Sequence, residues 1–345
     1  MKALVYHPGK PSWEDVPDPD LVENGDAIVR VDAVTICGTD LHILKGDVPE
    51  VRDGRILGHE AVGTVVETGT AVGGFQVGDR VLMSCVSACG RCGYCRAGRY
   101  GQCRNGGGWI LGHLIDGTQA EYVRIPFADT SMYKLPESVT DEAALLLADI
   151  LPTSYEIGVL NGRVSPGQSV AVVGTGPIGL AAITTARLLS PSSIIAIDKA
   201  SSRRDAAKRF GADLAIEPDG HCVEEVLAAT EGLGVDVAIE AVGIPETFEL
   251  CTRLVRPGGH VANVGVHGKP ATVHLEDLWN KDVTITTGLV DTTSTPALIS
   301  MTAAGRFPAG SFITHRFGLQ QMQEAYDVFS RPEGTGALKV ALFRQ

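Results

Sequence analysis

Ser169-Val170-Ala171-Val172-Val173-Gly174-Thr175-Gly176-Pro177-Ile178-Gly179-Leu180-Ala181-Ala182 is the stretch that decides the fold. Five residues, mostly apolar and β-branched, run into Gly-x-Gly-x-x-Gly and then into a helical sequence. A lone match to this glycine spacing is weak. Between a strand and a helix it is strong, and the next apolar run, Ser193–Ile197, leads into Asp198 at the expected interval of about 20 residues. The glycines Gly174, Gly176 and Gly179 permit a tight turn and close approach of a pyrophosphate, whose charge meets the helix N-terminus at Pro177 and Ile178. Asp198 would accept hydrogen bonds from an adenosine ribose and repel the extra phosphate of NADP, so NAD is the expected dinucleotide. Arg203 and Arg204 follow closely and keep NADP open; they serve equally well as the solvated face of the helix that begins there, and Lys199 with Arg203 is a candidate cofactor contact.

Outward from this turn the texture is uniform. Val235–Ile239 and His260–Val264 are further short apolar runs, and Ser202–Phe210 and Val223–Thr230 read as helices between runs. Near-continuous apolar strands alternating with helices indicate a parallel sheet covered on both faces. Before about residue 150 the pattern differs. Met1–Tyr6, Ala27–Val31, Gly63–Glu67 and Gly78–Leu82 read as short strands and turns among irregular loops, as in a partly open β-barrel. Thr140 caps a helix predicted from Asp141 to about Ala148, with two acidic residues in its first turn.

A chain of 345 residues favours two domains. It is 44% apolar and 20% charged, an ordinary globular composition, and its formal charge of −12 argues against binding nucleic acid. No run approaches the roughly 18 consecutive apolar residues of a spanning helix, and the N-terminus reads as a strand rather than a leader. A cytoplasmic enzyme without membrane partners is the expectation.

Cys89, Cys92, Cys95 and Cys103 stand as Cys-x2-Cys-x2-Cys-x7-Cys, interleaved with Arg91, Arg96, Arg99 and Arg104. Four thiolates at these intervals can close a tetrahedral zinc shell, which folds a loop and leaves no position for substrate. The arginines suit the double negative charge of such a centre. Two disulfides or four buried thiols are the alternatives, and disulfides need an oxidising compartment.

Cys37, His59 and Asp149 offer one thiolate, one imidazole and one carboxylate. Three ligands leave a fourth position open, the arrangement of a catalytic zinc. Singly, each suits an ordinary core position. Together with Gly58-His59-Glu60-Ala61-Val62-Gly63, Gly78-Asp79-Arg80-Val81, the cysteine lobe and the glycine turn, they make the chain resemble the zinc-dependent medium-chain alcohol dehydrogenases over nearly its whole length.

That resemblance implies a Rossmann-type parallel sheet domain, 151–291, inserted in a GroES-like β-barrel catalytic domain, 1–150 and 292–345. It implies two Zn²⁺ per chain: a catalytic ion on Cys37, His59 and Asp149, with Glu60 able to enter coordination, and a structural ion on the four cysteines. Thr39 and His42 match the family's proton relay. Thr153 and Lys339 match positions near the nicotinamide and pyrophosphate, and Cys85 and Trp109 fall where the family lines its substrate pocket. The implied reaction is reversible oxidation of a small primary or secondary alcohol, with hydride transfer to NAD, in a homo-oligomer, a tetramer before a dimer. A polyol or amino-alcohol dehydrogenase on the same scaffold is the alternative, and a non-catalytic zinc-stabilised nucleotide-binding module the alternative from another class. Two features depart from one branch of the family. Its NADP-using secondary-alcohol members have a small residue where Asp198 stands, and some of them lack the cysteine lobe.

Overall fold

The computed structural model describes residues 1–345, which divide into two compact units, Met1–Pro152 with Asp291–Gln345, and Thr153–Val290.

The first unit begins with a hairpin of β1 (Lys2–Val5) and β2 (Ser12–Asp15). Then come β3 (Ala27–Thr35), β4 (Ala61–Thr68), β5 (Arg80–Met83), β6 (Tyr122–Ile125) and β7 (Met132–Lys134). The second unit holds β8 (Ser169–Val173), β9 (Ser193–Ile197), β10 (Leu214–Ile216), β11 (Val235–Glu240), β12 (Val255–Asn263) and β13 (Thr284–Thr287). The chain returns to the first unit with β14 (Ile313–Gly318) and β15 (Lys339–Phe343).

In the second unit all strand pairings are parallel, in the order β10-β9-β8-β11-β12-β13. The order reverses between β8 and β11, so a crevice opens at their carboxyl ends, the position at which such sheets bind nucleotides. β8 is buried from Val170 to Val173, as a strand covered on both faces must be. Helices Pro177–Ala186 and Ser201–Arg209 follow β8 and β9.

β3 is the axis of the first unit, pairing with β4, β6 and β15, all antiparallel. Val29, Val31, Val34 and Ile36 pack there with Met83, Val340 and Leu342, and with Met322 and Tyr326 of the helix Met322–Phe329. The C-terminal strand is therefore part of the first core. Directly after β3, Cys37 N-caps the helix Gly38–Lys45, its backbone N–H donating to Asp40 Oδ2 at 2.9 Å. Thr140 accepts from Ala143 N at the head of the buried helix Asp141–Ala148, which ends as Asp149 leaves helical geometry. Among the described residues, no single helix is long and apolar enough to cross a membrane.

Candidate active site

Three segments of the first unit converge. The end of β3 delivers Cys37, the approach to β4 delivers His59, and the end of the helix Asp141–Ala148 delivers Asp149. One ligand atom from each lies within 4.8 Å of the other two. Cys37 Sγ is 3.5 Å from Asp149 Oδ2, and His59 Nε2 is 3.6 Å from the same oxygen. The donor set is soft, borderline and hard in turn, and its spacing suits the edges of a zinc tetrahedron with bonds of about 2.0–2.3 Å.

The surroundings hold a concentrated negative charge. Burial pushes the Cys37 thiol up, and Glu60 and Asp149 push it further. Burial alone would lower His59; hydrogen bonds to Asp149 and Cys37 outweigh it and hold the imidazole well above its usual pKa. A cation bound among these groups would relieve both. Burial raises Glu60 as well, against the pull of Lys339. Glu60 Oε1 is buried without a hydrogen-bond partner, so one oxygen of this carboxylate is uncommitted next to His59 in the chain.

The other expected site residues are placed as follows. Thr39 Oγ1 lies 3.7 Å from Cys37 Sγ. His42, on the same helix, is half-exposed with Nδ1 2.8 Å from Asp47 Oδ2. Cys85 is buried, its Sγ 3.8 Å from Asp149 Oδ1. Trp109 meets His59 edge-on at 6.3 Å between ring centroids. The ammonium of Lys339, expected beside the cofactor, is 1% exposed and occupied by Glu60 Oε2 and Ile36 O. Thr153 is half-buried at the start of the second unit.

Several neighbours carry no motif and were missed in the sequence. Asp40 Oδ1 stands 3.8 Å from His59 Nδ1. Asp40 Oδ2 accepts from Gln119, which accepts from Tyr326. His113 stacks on Trp109 at 4.2 Å and holds the Trp109 carbonyl through Nδ1.

The cysteine lobe is compact. The sulfurs of Cys89, Cys92, Cys95 and Cys103 all lie within 4.8 Å of one another, with Cys92–Cys95 at 3.4 Å and Cys89–Cys95 at 3.9 Å. Zinc–sulfur bonds of about 2.3 Å at tetrahedral angles put sulfurs about 3.8 Å apart, whereas a disulfide bond is about 2.05 Å. Backbone N–H groups point at the sulfurs: Cys92 N at Cys89, Cys95 N at Cys92 and Cys89 N at Cys103. Donation from the Arg104 and Cys95 backbone lowers the Cys92 thiol to about 6, while burial raises Cys95 to about 12. The four arginines are exposed around this centre.

In the second unit Gly174 takes φ 89°, and a Cβ there would lie 2.3 Å from Val242 Cγ2. A Cβ on Gly179 would lie 1.8 Å from Gly174 O. Only glycine closes this turn. Asp198 is buried, and its Oδ2 accepts from Thr175 N at 2.8 Å and Thr175 Oγ1 at 3.1 Å, while Oδ1 accepts from Ala200 N. The carboxylate therefore braces the glycine turn. Arg203 reaches to 3.9 Å from it, Lys199 is exposed, and Arg204 is held by the Asp198 and Lys199 carbonyls and Glu217.

The alcohol dehydrogenase GroES-like domain model matches residues 23–137, and the zinc-binding dehydrogenase model matches residues 177–304. An alcohol dehydrogenase of Cupriavidus necator is 38% identical over 370 residues, covering 99% of this chain and 98% of its own. Among solved structures, zinc-dependent alcohol dehydrogenase 2 from Streptococcus pneumonia superposes with a TM-score of 0.96 at 47% identity, covering 100% of this chain and 99% of its own. Alcohol dehydrogenase TADH from Thermus sp. ATN1 gives 0.93 at 37% identity, with both chains covered completely. Kinship on this scale runs through both units, and the chain belongs to the zinc-dependent medium-chain alcohol dehydrogenases.

Proposed function

We propose that this protein is an NAD-dependent alcohol dehydrogenase holding two zinc ions per chain, one for catalysis and one in the cysteine lobe. The observation that carries the reading is the convergence of Cys37, His59 and Asp149 in a chain whose second unit has a glycine turn braced by Asp198. Zinc in the first site would supply a Lewis acid that lowers the pKa of an alcohol hydroxyl, and NAD would accept the hydride.

The remaining work belongs to the chain. Thr39, at the head of its helix beside Cys37, holds the alcohol hydroxyl and relays its proton, accepting it as its own hydroxyl proton passes on toward His42. His42, three residues on and so on the same helix face, is steered by Asp47 and passes the proton to water. Trp109 and Cys85 wall the site with apolar surface, which favours a small primary or secondary alcohol over a polyol. Asp198 favours NAD, its negative charge opposing a phosphate on the ribose. The formal charge of −12 supports a protein with neither nucleic acid nor membrane as partner. A cytoplasmic homo-oligomer, tetrameric by preference, completes the proposal.

Initial rates with NAD and NADP against primary, secondary and polyhydroxy alcohols test it. Turnover of small alcohols with NAD is expected. A preference for polyols, or nucleotide binding without turnover, would overturn it.

A further inference from the structure

Tyr326 lies on the helix Met322–Phe329, far along the chain from the metal-site candidates, yet it ends a continuous line of polar contacts that reaches one of them. Its hydroxyl donates to Gln119 Oε1 at 2.8 Å. Gln119 Nε2 donates to Asp40 Oδ2 at 3.0 Å. The other oxygen of Asp40, Oδ1, is buried without a hydrogen-bond partner and stands 3.8 Å from His59 Nδ1. None of the four residues is more than 5% exposed, so bulk water does not compete for these links.

The polarity of the line is fixed from end to end. A carboxylate only accepts, so Gln119 must turn its NH₂ toward Asp40 and its carbonyl toward Tyr326. The phenol must then donate. Burial and the Asp40 charge push its pKa well above the usual value, which keeps the donor proton in place. Asp40 Oδ2 also takes the Cys37 backbone N–H, so Oδ1 is the atom left to face His59. Histidines that bind metals through one nitrogen are typically oriented by an acceptor on the other.

We propose that Tyr326 is a positioning residue for the candidate catalytic metal: it orients Gln119, Gln119 fixes Asp40, and Asp40 holds His59 with Nε2 facing Cys37 and Asp149. The inference rests on the reading of that trio as a zinc site. It ties retention of the metal to the packing of a C-terminal helix that supplies no ligand.

The test is zinc release from the holoprotein to a colorimetric chelator, with the slowly released lobe zinc as internal reference and thermal stability measured alongside. Tyr326→Phe removes one hydroxyl and keeps the ring. It should release the labile zinc about threefold to tenfold faster, less than the 10–100-fold typical of a group that touches the ligand itself, with lobe release unchanged. Gln119→Met cuts the same line nearer the metal and should act more strongly. The double variant should be no faster than Gln119→Met alone, since one line is broken once. Additive effects would overturn the inference. So would a Tyr326→Phe protein that melts earlier but keeps its zinc as the wild type does. If Tyr326→Phe does not fold, Gln119→Met decides: wild-type release there overturns the line, and faster release supports it. A wild-type protein with only one zinc would remove the metal reading and this inference together, whereas two zincs with unchanged release in the variants would remove this inference alone.

Discussion

Lys339 Nζ lies 2.5 Å from Glu60 Oε2, joining the last strand to the residue after His59 in an ion pair whose side chains are at most 2% exposed. Desolvation disfavours the Lys339 charge, but Glu60 and Cys37 hold its pKa above the ordinary value. Removing one partner strands the other in the core. Lys339→Met should destabilise the fold by about 3–5 kcal/mol, and Lys339→Met with Glu60→Leu should recover most of that. Denaturant unfolding of the two variants measures this; a single variant as stable as the wild type would show that the pair carries no such weight.

Asp198→Gly should move the kcat/KM ratio from NAD toward NADP, because on the proposed function the carboxylate would accept from ribose hydroxyls and repel a phosphate placed there. The structure adds a cost. Thr175 and Ala200 lose their acceptor, so the variant should also be less stable and bind both nucleotides more weakly. An unchanged cofactor ratio would place Asp198 in the turn alone.

Thr39→Ala should lower kcat by about 10²–10⁴, the range of a positioned proton transfer, while zinc and nucleotide stay bound. Thr39→Ser keeps the hydroxyl and should retain most activity. Equal losses in the two variants, at equal zinc content, would remove Thr39 from the chemistry.

Cys92→Ser should lower thermal stability more than it lowers kcat, because zinc bound by the lobe contributes its binding free energy to folding. A chelator should correspondingly remove activity before it unfolds the wild type. Normal stability with lost turnover would mean that the two metal sites have been assigned the wrong way round.

Glu142, in the first turn of the helix that ends at Asp149, makes two contacts of 2.6 and 2.8 Å with Arg316. The hydrogen bond from Arg316 lowers the pKa of Glu142. Its folded pKa is thus below the unfolded value of about 4.3, so the pair stabilises above that value and is lost as pH falls through the folded one. Glu142→Gln should therefore cost about 0.2–1 kcal/mol at pH 7, the range for a solvent-exposed pair, and progressively less as pH falls through the folded pKa. A cost independent of pH would assign the effect to packing.

Much of this was legible because the determining interactions are short-range. Strand β8 has the bounds that its apolar run predicts, and the helix from Asp141 begins at its Thr140 cap. Other elements differ at their ends. β3 continues to Thr35 and β12 begins at Val255, because pairing with neighbouring strands extends them beyond the apolar runs. β14 and β15 carried no distinct signal; their pairing is set by contact with each other and with β3.

The sequence by itself determined the residues whose chemistry depends on local spacing. These are the four cysteines that close on one point, and Gly174 and Gly179, which no other residue can replace in the turn. The thiol, imidazole and carboxylate, spread over 112 residues, were legible only together with the other motifs, through the family resemblance. Tertiary structure alone decided their partners. Asp40 looks like any helix-opening acid, Gln119 and Tyr326 belong to no motif, and Tyr326 meets Gln119 across 207 residues of sequence. The fate of the Lys339 charge likewise depended on where β15 lands, which brings it to Glu60 across 279 residues. A ligand is recognisable by its own donor atom. A residue that orients a ligand is defined only by what lies against it, and that depends on the packing of distant segments.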